Sequence, residues 1–296
     1  MKKVYLILGV FLIGGLIWYL FIYRFDYLVT FNAKANTGTI NQTIKLWNST
    51  LDGAEITAYE ELRHLTQTIP LNDSTHLYDW RITPINDSTS KVKVFAKDLD
   101  NSLINKIKVP FSDTDFEKRT RKMLLDFNEK LREHLKNIRI EVIGVTEVDS
   151  IFCAYLEVKS SQFGKAGGMM KNFPLLDPFL VNNGATLNGL PILEITKWDT
   201  VKDSLEFNFC YPIIPSDSLP VHPDLKYKMI PSKKAIKAIY NGNYITSDRA
   251  WYALMDYAEK NNLDVTGLPL EFFYNNPNMG GNELNWKAEI FMPLKE

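Results

Sequence analysis

An α+β chain in three parts is predicted by three features of the sequence. Val4 to Tyr23 carries no formal charge, the stretch that follows mixes short alternating runs with one strongly periodic helix, and Gly189-Leu190-Pro191 recurs as Gly267-Leu268-Pro269. These place an N-terminal transmembrane helix in residues 1–24, a first soluble module in 25–137 and an internally duplicated β-α-β-β domain in 138–296. The composition suits a folded chain, with 45% hydrophobic and 23% charged residues. Lys+Arg 34 against Asp+Glu 35 gives a net charge of −1, without the basic footprint of a general nucleic-acid binder. The two cysteines, Cys153 and Cys210, cannot build a disulfide framework or a four-thiolate zinc site.

The uncharged segment fits a single span. At 1.5 Å rise per residue, twenty helical residues cover roughly 30 Å, the thickness of a bilayer's hydrocarbon core. A cleavable signal is the competing reading, but such apolar regions are shorter and are followed by small residues. Trp18, Tyr19, Phe21, Tyr23 and Tyr27 crowd this end instead, which suits a membrane interface. Lys2 and Lys3 precede the span, and Arg24 is followed by Asp26, so the positive-inside rule sets the short end in the cytoplasm and exports the rest. The expected location is a bacterial inner membrane. Asn-x-Ser/Thr triplets begin at Asn41, Asn48, Asn72 and Asn86 and have meaning only in a glycosylating pathway.

Within 25–137, an extended run from Tyr27 to Ala35 precedes a short helix over Thr39–Trp47. Strands follow at Thr75–Ile82 and Lys91–Phe95, separated by Asn/Asp/Ser turns. A long helix closes the segment, capped by Asp113 or Asp115, with Phe116, Thr120, Met123, Leu124, Phe127, Leu131 and Leu135 at helical spacing. This order resembles the polyketide-cyclase/START-like (SRPBCC) superfamily, in which a curved sheet grips the long helix around an apolar cavity. That resemblance implies a lipophilic ligand; the alternative is that Trp47, Trp80 and Phe127 fill a core. His64 and His76 have no Cys or second His at ligand spacing and read as surface or structural histidines.

In 138–296 the similarity extends beyond Gly-Leu-Pro. Phe207–Ile213 and Ala288–Leu294 both read as strands ending at proline, giving two strand-helix-strand-strand units. Two such units can share one sheet with both helices behind it. The first helix region, Phe163–Met170, holds three glycines and is expected to be shortened or irregular. Ile239–Tyr244, a helix beginning near Ser247–Trp251, Glu271–Pro277 and Trp286–Pro293 together resemble the GyrI-like, or AraC-type effector-binding, small-molecule domain.

That resemblance implies a pocket glutamate at Glu289, pairing with a cationic aromatic ligand, and a cavity lined by Trp251 and Tyr274, with Tyr240 and Phe291 as further candidates. Asn208 occupies the corresponding place in the first unit. A carboxylate directed inward from an apolar strand needs a cation, a donor or a raised pKa. Strand alternation taken alone puts Lys287, Glu289 and Phe291 on one side, which leaves a solvent-facing Glu289 open. Three functions follow as expectations. The first is a membrane-anchored protein that senses or sequesters an amphipathic or lipophilic small molecule. The second is a hydrolase of small electrophiles, as in some relatives of the resembled family, with Glu289 as general base. The third is a scaffold with filled cavities. No cofactor or metal is expected: there is no Ser/His/Asp order, nucleophile elbow, zinc spacing or dinucleotide fingerprint. The helix-turn-helix region that usually accompanies this domain is not evident upstream, so no direct nucleic-acid partner is expected.

Overall fold

The computed structural model describes residues 2–60, 62–71, 73–86 and 88–295. Asn72, the third of the Asn-x-Ser/Thr sites, lies outside them. The chain divides into two compact units, residues 1–132 and 133–296.

The first unit begins with α1 (Lys2–Ile17), which continues through a π-helical turn over Trp18–Ile22. That turn closes with Tyr23 N–H donating to Trp18 O at 2.8 Å. The helix is long and apolar enough to cross a membrane. Next come β1 (Tyr27–Ala33), α2 (Thr37–Asn48), β2 (Glu55–Glu60), β3 (His64–Leu71), β4 (Ser74–Asn86), β5 (Thr89–Asp98), α3 (Ser102–Lys108) and α4 (Asp115–Lys136). The five strands form an antiparallel sheet in the order β1-β5-β4-β3-β2. Asn36 caps α2, accepting from Thr39 N–H at 2.9 Å. The cap of α4 is Thr114, not Asp113 or Asp115. Its hydroxyl accepts from Glu117 N–H at 3.2 Å while Glu117 accepts from Thr114 N–H at 3.1 Å, a reciprocal capping box.

The aromatic side chains of this unit meet at its core. Phe127 of α4 lies 5.0 Å, ring to ring, from Trp80 of β4 and 5.5 Å from Trp47 of α2. All three are buried, so the space where a helix-grip cavity was expected is filled by side chains at this point. His76 is buried, with its Nδ1 3.2 Å from the Tyr78 hydroxyl, and His64 pairs with Asp79 at 3.2 Å.

The second unit contains β6 (Ile138–Val148), β7 (Ile151–Ser161), α5 (Lys165–Asn182), β8 (Ile192–Asp199), β9 (Ser204–Pro212), β10 (Lys226–Ile230), β11 (Lys233–Gly242), α6 (Arg249–Lys260), β12 (Leu270–Phe273) and β13 (Lys287–Pro293). One antiparallel sheet runs β10-β7-β9-β8-β12-β13-β11-β6, so β7-α5-β8-β9 and β11-α6-β12-β13 occupy mirrored places about the central β8·β12 pair. Short turns join β6 to β7 and β10 to β11, although each pair sits at opposite ends of the strand order. The sheet therefore has to curl. A core on one face takes one residue from each strand: Val148, Cys153, Ile192, Cys210, Ile230, Ala235, Leu270 and Phe291. The helices cover the other face, where Trp251, Leu254, Leu176, Leu180 and Ile290 share a larger core. Alternation decides which core each strand residue joins.

α5 is not shortened, despite Gly167 and Gly168 and despite Pro174 and Pro178 within it. Gly168 is needed where the helix approaches the sheet. A Cβ there would stand 3.0 Å from Val158 Cγ1 and 3.3 Å from Phe207 Cζ. Burial against the sheet outweighs the helix-breaking composition.

Candidate functional site

A cavity of about 270 Å³ opens between α5, β9 and the end of β12. Ala166, Met169, Met170, Phe173 and Asp177 line it from α5, at the spacing of a single helical stripe. Phe209 and Tyr211 face it from β9, two residues apart and so on one side of the strand. Tyr244, Phe273 and Tyr274 complete an aromatic wall, and the segment Leu187–Pro191 contributes a further edge. Phe209 and Tyr211 meet edge to face at 5.6 Å, and Tyr244 lies 4.8 Å from Phe273. Flat apolar faces with a few fixed polar groups suit an aromatic or amphipathic small molecule.

Asp177 is the one carboxylate of this lining. Among the described residues, no cation or hydrogen-bond donor pairs with it. Burial pushes the Tyr211 phenol up, and the negative charge of Asp177 pushes it further, so Tyr211 stays protonated beside that carboxylate. Tyr244 is fixed: its hydroxyl donates to Lys287 O at 2.7 Å and accepts from Asn275 N–H at 3.1 Å. Burial is the chief reason that its phenol is pushed up to about 12.

A second carboxylate is sealed under α6. Glu271 of β12 is fully buried, accepts from Ser247 Oγ at 2.7 Å and accepts from Trp251 Nε1. Burial raises its pKa, opposed by the charge of Lys165 and by these two donors. Lys165 is itself buried. Its Nζ donates to Tyr244 O at 3.0 Å and Ile245 O at 2.8 Å and stands 3.6 Å from Asp248 Oδ1. Asp248 Oδ2 also accepts from Arg249 Nη1 at 2.6 Å. Two acids and two bases thus neutralise one another inside the domain, as buried charges require.

The predicted site residues fall in three places. Tyr274 lines the cavity. Trp251 and Tyr240 are on the helix-covered face but wholly buried, Trp251 against Trp198 at 5.1 Å and Tyr240 donating to Asn243 O at 2.8 Å. Neither borders the cavity. Glu289, Phe291 and Asn208 do not line it, because side chains alternate along β13 and β9. Ala288, Ile290 and Met292 pack under the helices, whereas Phe291 joins the other core and Glu289 shares its side. There Glu289 meets Lys237 Nζ at 2.9 Å and Lys287 Nζ at 2.8 Å. Burial raises its pKa, but hydrogen bonds from Lys287, Lys237 and Tyr274 prevail and the net shift is downward. Asn208 Nδ2 donates to Glu194 at 2.7 Å, and Glu194 also pairs with Lys228. Asp177, Tyr211 and Glu271 were not singled out in the sequence, although Asp177 is the lone acid in the apolar run Phe173–Val181.

Residues 178–295 match the family model of the GyrI-like small molecule binding domain, and this part of the chain is such a domain. Solved structures with similar folds include the EcmrR C-terminal domain, at 17% identity and TM-score 0.44, covering 54% of this chain and 98% of that one. SAV2435 bound to tetraphenylphosphonium is similar at 11% identity and TM-score 0.40, covering 52% and 94%. A hydrolase from Listeria innocua is similar at 10% identity and TM-score 0.31, covering 51% and 92%. No curated protein matches the chain.

Proposed function

We propose that this protein is a membrane-anchored receptor or sequestering protein for an amphipathic, cationic small molecule, held in the cavity beneath α5. The observation that carries the reading is Asp177, an unpaired carboxylate on the stripe of α5 that also presents Met169, Met170 and Phe173 to an aromatic cavity. Aromatic faces attract a cation through their quadrupoles, and a carboxylate without a protein partner supplies the counter-charge. The match of residues 178–295 to a small-molecule-binding family supports a ligand as the occupant. The apolar helix over Lys3–Ile22 supports the anchor, and Lys2 and Lys3 ahead of it support a cytoplasmic N-terminus with both units exported. The mirrored strand order supports an origin by duplication.

Tetraphenylphosphonium is a suitable probe, being a rigid aromatic cation. Titrated into the full chain in nanodiscs, against empty nanodiscs, it should bind with saturation. Met170→Trp, which puts an indole at the cavity wall, should abolish that binding, and Glu289→Gln should leave it intact. Saturable binding unaffected by Met170→Trp and lost in Glu289→Gln would place the ligand elsewhere and defeat the reading.

A further inference from the structure

α3 is built inside out. Its polar residues face the protein: Ser102 Oγ donates to Asp26 Oδ1 at 2.6 Å, and Asn105 Nδ2 donates to Asp98 Oδ2 at 3.1 Å. Lys106 Nζ donates to Leu20 O at 3.3 Å and to Tyr23 O. Asn105 and Lys106 are buried, while Leu103, Ile104 and Ile107 are each about half exposed and Phe111, just beyond the helix, is 88% exposed. At 100° per residue Leu103, Ile104 and Ile107 fall within one sector of about 100° of the helix surface, and Phe111 follows in the turn beyond it. Water on that face and lysine beneath it reverses the usual arrangement of a soluble protein.

The tethers say what covers the face. Leu20 and Tyr23 are the carbonyls at the end of the long apolar helix, and the Tyr19 hydroxyl returns a bond to Lys106 O at 3.4 Å. The buried lysine thus caps the helix C-terminus, where a cation is favoured. α3 is held at the level of the last apolar turn, beside Phe21 and Ile22, which are themselves exposed. We propose that α3 and Phe111 form a membrane-docking element, with the Leu103, Ile104, Ile107 and Phe111 side chains seated in the interfacial zone of the bilayer and exposed Lys108 reaching the headgroups. This rests on the reading of α1 as a membrane anchor. Docking at a second point beside the span fixes the tilt of the first unit against the membrane surface, which one flexible tether does not.

The test uses single cysteines carrying an environment-sensitive fluorophore in the full chain in nanodiscs, with nitroxide-labelled phospholipid as quencher. Cys153 and Cys210 are fully buried, so reagent is directed to the introduced thiol. Phe111→Cys reports the docking face, Phe21→Cys reports the span, and Thr83→Cys, at the opposite end of β4 from α3, reports exposed protein surface. All three positions are exposed, so folding does not depend on them. The expected result is that labels at 111 and 21 are both quenched several-fold more than the label at 83. Quenching at 21 with position 111 no different from 83 overturns the docking while leaving the anchor standing. Quenching at neither 21 nor 111 overturns the anchor and the docking together. A label at 111 shielded from aqueous quencher but untouched by nitroxide lipid identifies a protein surface as the occupant and also overturns it.

Discussion

Lys237 Nζ stands 2.9 Å from Glu289 Oε2 on the face of the sheet that the helices do not cover. Strand alternation sets Glu289 on that face, away from the cavity, and Lys287 closes on its other oxygen at 2.8 Å. Glu289→Gln should cost about 0.2–1 kcal/mol, the range for partly exposed ion pairs. Because the folded carboxyl lies below its ordinary value of 4.5, its contribution is present above that pH and is lost as pH falls through the folded value. Urea midpoints of wild type and variant should therefore differ at neutral pH and converge in acid.

Trp251 of α6 is buried and donates its indole N–H to Glu271. Trp251→Phe removes the indole N–H that Glu271 accepts and leaves a buried carboxylate with one side-chain donor fewer. The expected loss is about 1–3 kcal/mol, read from chemical denaturation. Tetraphenylphosphonium binding should persist at temperatures where the variant is folded.

His134 supplies a second acid-sensitive contact. Burial, with the neighbouring Arg249 charge, lowers its pKa to about 4, and its Nε2 accepts from Arg249 Nε at 3.3 Å. The folded protein therefore binds fewer protons than the unfolded chain between about pH 4 and 6.5. Stability is gained as pH rises through that window and lost as pH falls through it, by up to about 3 kcal/mol. His134→Gln keeps an acceptor without a titration, so its stability should vary less with pH across the same window.

Phe127 joins Trp47 and Trp80 at the heart of the first unit. Phe127→Ala should destabilise that unit by about 3–5 kcal/mol. The second unit should keep its tetraphenylphosphonium affinity, since the cavity draws its lining from residues 166–277 alone.

Much of the architecture was legible because it rests on local periodicity. The seven-residue helical stripe from Phe116 to Leu135 corresponds to α4 and the strands ending in proline to β9 and β13, while each Gly-Leu-Pro immediately precedes a strand, β8 or β12. Elements set by tertiary contacts were harder to read. α5 persists across two glycines and two prolines because the sheet buries it. α3 went unpredicted because its seven residues carry their apolar side outward, against the pattern used to recognise a packed helix. Glu289 lies on the face of the sheet opposite the cavity. Alternation had already grouped Glu289 with Lys287 and Phe291, and the cavity instead takes its acid from α5, where Asp177 shares a stripe with Met169, Met170 and Phe173.

The central claim is that Asp177 selects a cation in an aromatic cavity. Calorimetric titration of tetraphenylphosphonium and tetraphenylborate, ions of like shape and opposite charge, into wild type and Asp177→Asn tests it most directly. The account predicts that wild type prefers the cation and that Asp177→Asn weakens cation binding about tenfold, the equivalent of about 1.4 kcal/mol, without weakening the anion. Equal cation affinity in wild type and variant would contradict it.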